Sequence, residues 1–170
     1  MEFRDLKKQY QVLKPKMDQA VLEVMESAQF IGGPKVKELE ERLASYVGVK
    51  HCITCGNGTD ALTMVLKAWG ISEGDAVFIP SFTFFASAEV VSFEGATPVF
   101  VDVDRDTFNI DVKSLEEAIK AVLVEGKLKP RVIMPVDLFG LPADYDAIQK
   151  IADKYDVRIL EDAAQGFGGT

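Results

Sequence analysis

The stretch "HCITCGNGTDALTMVLKAW" (residues 51–69) decides the fold. Its first five residues form a short apolar run that reads as a strand. Leu62, Val65, Leu66 and Trp69 then recur at helical spacing. Between the two lies "GNGTDAL" (Gly56 to Leu62), so a strand, a small-residue turn and a helix start are compressed into a few residues. A bound phosphate is one reason for such a turn, because the first turn of a helix presents N–H groups without intrahelical partners. A plain tight turn with Thr59 capping the helix is the other.

Working outward, the same alternation continues along the chain. Upstream, Met17, Val21, Val24 and Met25 predict a helix over about Lys14 to Ser27, broken by "FIGGPKV" (30–36). A second helix carries Val36, Leu39, Leu43 and Val47, and Gly48 ends it. Downstream, "AVFIP" (76–80) leads to a helix over about Phe84 to Phe93. "TPVFVDVD" (97–104) precedes "SLEEAIKAVLVEG" (114–126), whose Ser114 and Glu117 read as a capping box. "RVIMPVD" (131–137) leads to a helix around Tyr145 to Tyr155, and "VRILED" (157–162) is the last strand. Strands without polar alternation, separated by helices, indicate a mostly parallel sheet covered on both faces: a three-layer α/β/α fold in one α/β domain.

Composition agrees with one folded domain: 170 residues, of which 48% are hydrophobic and 9% aromatic, supply a buried core. A net charge of −8 argues against nucleic-acid binding, because no basic face is available to neutralise a phosphate backbone. It leaves room for one small anion held by backbone N–H groups. The opening "MEFRDLKKQY" has no apolar h-region, and no apolar run approaches the ~20 residues of a membrane span, so a soluble, cytoplasmic protein is expected. Cys52 and Cys55 form a C-x-x-C. On a strand they point to opposite faces, so they are expected to be buried structural thiols, not a metal or redox pair, and no metal site is expected.

In parallel sheets ligands gather beyond the carboxyl ends of the strands. The segments there are "GNGTD", "SFTFF", "DLFG" and "EDAAQGFGG", and they collect most of the unusual chemistry. "GNGTDA" fits G-x-G-x-x-A, but the next strand ends in "FIPSFT" without the carboxylate a dinucleotide's ribose requires. A single phosphate fits better, with Gly58 allowing close approach and the N–H groups of Thr59 and Asp60 pointing outward. Asp162, at the end of an apolar strand, needs a cation or strong donors, and a protonated pyridine nitrogen is one such partner; capping of a following helix is the alternative. Gln165 could reach a ring substituent from the same side. Phe82, Phe84 and Phe85 offer either a face for a flat ligand or ordinary core packing. A phosphate, a pyridine nitrogen and a ring face together describe one cofactor, pyridoxal 5'-phosphate.

These residues carry a wider likeness. "FRDLKKQY", "FIGGPKVKELEERLASYVGVKHCI", "GNGTDALTMVLKAWGISEGDAVFIPSFTFFASAEVV", "GATPVFVDVDRDTFNID", "PVDLFGLPADYDAI" and "ILEDAAQGFGGT" occur in this order. Over its whole length the chain resembles the DegT/DnrJ/EryC1/StrS aminotransferases, which aminate nucleotide-linked ketosugars. The resemblance implies the large domain of fold-type I pyridoxal-phosphate-dependent transferases, here residues 1–170 as its N-terminal part, in a homodimer. It implies that Gly58, Thr59 and Asp60 bind the cofactor phosphate and that Phe84 stacks on the ring. Asp162 would pair with the ring nitrogen and Gln165 would contact the ring hydroxyl. Asp137 stands where many relatives carry His, and its role stays open. The Schiff-base lysine, further strands and a small C-terminal domain would follow Thr170, so the chain by itself is expected to be inactive. The implied reaction is transamination through pyridoxamine 5'-phosphate, from an amino acid such as glutamate to a nucleotide sugar, with a UDP-linked acetamido sugar suggested. Deoxygenation of the sugar by a dehydratase relative, or a non-catalytic role, stays open as an alternative.

Overall fold

The computed structural model describes residues 4–169; Phe3 and Thr170, which fall within the family-like segments, lie outside the described residues. The chain divides into two compact units, up to Thr54 and from Cys55 onward.

The first unit is built on two helices, α1 (Leu6–Ser27) and α2 (Pro34–Val47). α1 starts eight residues before the periodicity-based start at Lys14 because Asp5 caps it, its side chain accepting from Lys8 N at 2.9 Å. Tyr10 and Lys14 both donate to Asp18 on the surface of α1, and this pairing lowers the Asp18 carboxyl's pKa and raises that of Lys14. α2 opens on Pro34 at its first position and closes on Gly48 in the left-handed conformation, φ 77°.

The expected strand at 51–55 does not form. A strand needs a neighbour's ladder, and here the Thr54 N–H and hydroxyl both donate to Glu40 Oε1 (2.9 and 2.8 Å), a side chain of α2. Those two bonds also lower the pKa of the Glu40 carboxyl. The buried-thiol expectation fails with the strand. Cys52 is half-buried, and Cys55 is exposed and donates its thiol to Asn57 O at 3.1 Å. No cluster of metal-ligating side chains exists among the described residues.

The second unit is the sheet domain. Four parallel strands lie in the order β2 (Thr97–Val101), β1 (Asp75–Pro80), β3 (Lys129–Ile133), β4 (Arg158–Ile159). Strand β1 is buried at every position, as an interior strand covered on both faces must be. Its side chains alternate between two cores. Ala76 and Phe78 join Ile133 and Val101 against α5 (Val112–Glu125) and α6 (Tyr145–Tyr155), through Leu115, Ile119, Ile148 and Ala152. Val77 and Ile79 join Val132 and Met134 against α3 (Gly58–Ala68) and α4 (Ala86–Phe93), through Leu62, Leu66, Val90 and Val91. Two cores on opposite faces of one sheet make the three-layer α/β/α sandwich read from the sequence.

The start of α5 also differs from expectation. α5 is capped by Asp111, whose carboxylate accepts from Ser114 N at 2.6 Å, so Ser114 lies inside the first turn and does not cap. Two acceptors three residues apart competed for the role, and the one whose backbone is extended took it.

The strand order fixes where a ligand can lie. The chain leaves β1 toward β2 on one side, then crosses back to β3 on the other. The carboxyl ends of β1 and β3 therefore diverge into a crevice.

Candidate active site

That crevice is a cavity of about 200 Å³, lined by Gly58, Thr59, Phe84, Asp162 and Gln165 together with residues such as Leu62, Thr83 and Val136. Five of the six residues singled out from the sequence thus meet, from segments far apart in the chain.

Asp60 is the sixth and does not line the cavity. α3 is capped by Asn57, whose Oδ1 accepts from Asp60 N (2.9 Å) while its Nδ2 donates to Asp60 Oδ2 (3.0 Å). The Asp60 N–H is therefore committed to the cap. Its carboxylate lies where a Cβ on Gly56 would come within 2.7 Å of Oδ2. Thr59 is not the cap, so that plain reading of it falls away; the signal for Asn57 was its residue type one place before the helix.

Gly58 and Thr59 are the first two helical residues, whose N–H groups have no intrahelical acceptor. A Cβ added at Gly58 would meet no described atom within 4 Å. The chain's own packing does not demand a glycine there; the open space belongs to the cavity.

Asp162 is half-buried and held through its backbone. Its N–H donates to Pro135 O (3.0 Å), and its carbonyl accepts from Asp137 N (3.1 Å), a parallel bridge extending β3 and β4. Its carboxylate accepts from Ser87 Oγ (3.2 Å, at Oδ2) and Ala164 N (3.2 Å, at Oδ1). Turns follow it, not a helix, so it caps nothing. Among the described residues no Lys, Arg or His is paired with it. A partly buried carboxylate with only neutral donors retains capacity for a cationic N–H. Ser87, fully buried in α4, was missed; the only sequence signal was a hydroxyl inside the apolar run "FASAEVV".

Phe82, Phe84 and Phe85 are all at least half exposed, with Phe84 at 76%, so they are not core residues. Phe84 forms one wall of the cavity. Phe82 instead clusters with Phe108 and Phe139, at ring-centroid distances of 5.7 and 6.5 Å. Gln165 accepts at Oε1 from Phe139 N (2.7 Å). Asp137 is 1% exposed and lies behind the wall, outside the cavity lining. No lysine lines the cavity.

A three-layer parallel α/β domain with a helix start of free N–H groups, a carboxylate without a cationic partner and an aromatic wall at one crevice has the layout of a cofactor-binding domain. The comparisons narrow the class. The sequence profile of the DegT/DnrJ/EryC1/StrS aminotransferase family matches residues 11–170, and the chain belongs to that family. It is 48% identical over 170 residues to the UDP-2-acetamido-2-deoxy-3-oxo-D-glucuronate aminotransferase of Pseudomonas aeruginosa, covering all of this chain and 45% of that protein. A DegT/DnrJ/EryC1/StrS aminotransferase from Brucella abortus superposes with a TM-score of 0.95 at 51% identity, over 97% of this chain and 44% of that one. NtdA from Bacillus subtilis, solved with bound cofactor PMP, superposes with a TM-score of 0.81 at 34% identity, over 88% of this chain and 33% of that one. The chain thus spans less than half the length of these relatives. Its fold is that of the large domain of fold-type I pyridoxal-phosphate-dependent transferases.

Proposed function

We propose that the protein is a pyridoxal-phosphate-dependent aminotransferase that moves an amino group from an amino acid, glutamate by analogy with the family, to the keto group of a nucleotide-linked sugar. Residues 1–170 would be the N-terminal part of the cofactor-binding large domain. The observation that carries this reading is the convergence of Gly58, Thr59, Phe84, Asp162 and Gln165 on one crevice. The donor set fits the cofactor: free helix N–H groups for a phosphate and an uncompensated carboxylate for a ring N–H.

When bound, pyridoxal phosphate supplies an electron-accepting ring and a carbonyl that exchanges for an amine. Gly58 and Thr59 would bind the phosphate through backbone N–H groups, with the Thr59 hydroxyl as a further donor. Asp162 would hold the proton on the ring nitrogen, since a facing carboxylate favours the protonated form. Ser87 and the Ala164 N–H fix the direction in which that carboxylate faces. Phe84 would lie against the ring face and shield it from water. Gln165, its oxygen occupied by Phe139 N, would present its amide N–H₂ to a ring oxygen.

The sugar suggested by the P. aeruginosa relative's name is a UDP-linked 3-oxo acetamido sugar. A homodimer, with the covalent lysine supplied by a segment C-terminal to Thr170, is part of the same proposal, as the family resemblance implies. The test is direct. The protein expressed from its complete reading frame, given pyridoxal phosphate, glutamate and a UDP-linked 3-ketosugar, is expected to form 2-oxoglutarate and the aminosugar. Cofactor binding without amine transfer from any amino acid would overturn the reading. Residues 1–170 alone are expected to show no turnover, because no lysine faces the cavity.

A further inference from the structure

Asp137 is among the most buried charged residues of the described chain, and nothing in the reaction outlined above uses it. A carboxylate so placed is costly unless several donors satisfy it. Here two donors converge on one oxygen: Ala143 N at 3.0 Å and Tyr145 OH at 2.8 Å, both to Oδ1. Burial first, then the Asp137 hydrogen bond, pushes the Tyr145 pKa far up, so the phenol stays protonated and remains a donor. The Glu161 carboxyl is a charged neighbour of Asp137. Burial, then the neighbouring Asp137 charge, raises the Glu161 pKa.

A second set of contacts ties Asp137 and its loop to the segment carrying Asp162 and Gln165. The Asp137 N–H donates to Asp162 O, closing the bridge that sets the Asp162 backbone. Gly166 packs so closely on Asp137 that a Cβ there would fall 2.4 Å from the Asp137 Cβ. Two residues on, Phe139, in the left-handed region at φ 57°, aims its N–H at Gln165 Oε1. Gly140, at φ 86°, faces the Gln165 carbonyl, which would lie 3.2 Å from a Cβ. The 137–140 segment therefore grips the 162–166 segment at Asp162, Gln165 and Gly166.

We propose that Asp137 is a positioning residue of the cofactor site: its buried carboxylate anchors the 137–143 loop, and through that loop fixes the directions in which Asp162 and Gln165 face the cavity. This rests on the reading that those two residues hold pyridoxal phosphate. Asp137 itself acts from behind the wall. Its required property is an acceptor oxygen, not a charge, so asparagine can replace it and alanine cannot.

The experiment uses the protein from its complete reading frame, with variants D137A, D137N and Y145F. Two quantities are read: amide hydrogen exchange in the cofactor-free protein, and the dissociation constant for added pyridoxal 5'-phosphate. D137A is expected to raise exchange across 162–166 but not in β1, and to weaken cofactor binding about tenfold, the scale of a lost charge-assisted hydrogen bond. D137N is expected to recover both to within about threefold, and Y145F to fall between. Wild-type-like exchange and affinity in D137A and Y145F would overturn the proposal. So would D137N as damaging as D137A, or exchange rising equally in β1, which would mark a general loss of stability. If D137A does not fold, D137N and Y145F decide. Absence of cofactor binding by the wild-type protein would refute the cofactor reading, and the exchange data would still judge the anchoring.

Discussion

The Ser87 hydroxyl donates to Asp162 Oδ2 at 3.2 Å, joining helix α4 to the bridge just past β4 across 75 residues of sequence. Ser87 Oγ also lies 3.1 Å from Thr83 Oγ1, so the serine sits between the loop after β1 and the carboxylate. Ser87→Ala removes the donor and leaves the rest of α4 intact. It is expected to lower the stability of the ligand-free protein by about 1 kcal/mol, seen as a lower urea midpoint at constant slope. An unchanged midpoint would mean that water replaces the hydroxyl.

Asp162→Asn replaces a carboxylate with a neutral amide of the same shape. If Asp162 keeps a ring nitrogen protonated, turnover is expected to fall roughly 100-fold or more, while the phosphate contacts at Gly58 and Thr59 still hold the cofactor. Steady-state amine transfer by the complete enzyme checks this, and near-normal turnover would sink the assignment.

Gly166→Ala drives a methyl group into the Asp137 side chain at 2.4 Å. Overpacking of this kind costs about 1–3 kcal/mol, so thermal unfolding is expected to occur several degrees lower. A variant as stable as the parent would show that the turn yields freely.

Glu116 gives a pH test. Hydrogen bonds from Lys154, Tyr155 and Lys120 hold its carboxyl down to about 2, from an ordinary value of 4.5. A depressed acid contributes stability that is present above about 4.5 and lost as pH falls toward 2. The parent should therefore lose stability faster than Glu116→Gln in that window, and the two curves should run parallel above it. Denaturant midpoints measured across the acid range decide the point.

Phe78, in the middle of β1 and 0% exposed, is the largest of the fully buried side chains. Phe78→Ala is expected to cost roughly 3–5 kcal/mol, enough to unfold a marginal domain. Retention of a cooperative transition near the parent's midpoint would contradict the packing described.

The layered fold was legible because an interior parallel strand such as 76–80 leaves a continuous apolar signature that helices interrupt at regular intervals. The convergence of Gly58, Thr59, Phe84, Asp162 and Gln165 was legible because strand ends are where such sheets bind ligands. Other features depended on pairing that no local pattern encodes. Residues 51–55 are apolar enough for a strand, but Glu40 claims the Thr54 N–H, and a ladder partner is a property of the fold. Asp60 and Asn57 both suited the turn by residue type, and only geometry shows that Asn57 takes the Asp60 N–H away from any ligand. Ser87 and Asp137 act across long sequence separations, so composition and spacing could not expose their partners.

The sheet order also sets a schedule for synthesis. Strand β1, made early, occupies an interior position, while β4 and the Asp162 bridge join from one edge. A ribosome adding about 5–20 residues per second delivers Asp162 roughly 4–15 s after Ser87, given the 75 residues between them. During that interval the nascent chain holds the helix-start half of the crevice, and β3, once made, presents the edge on which β4 pairs. The pairing that closes that edge also brings Asp162 to the pocket.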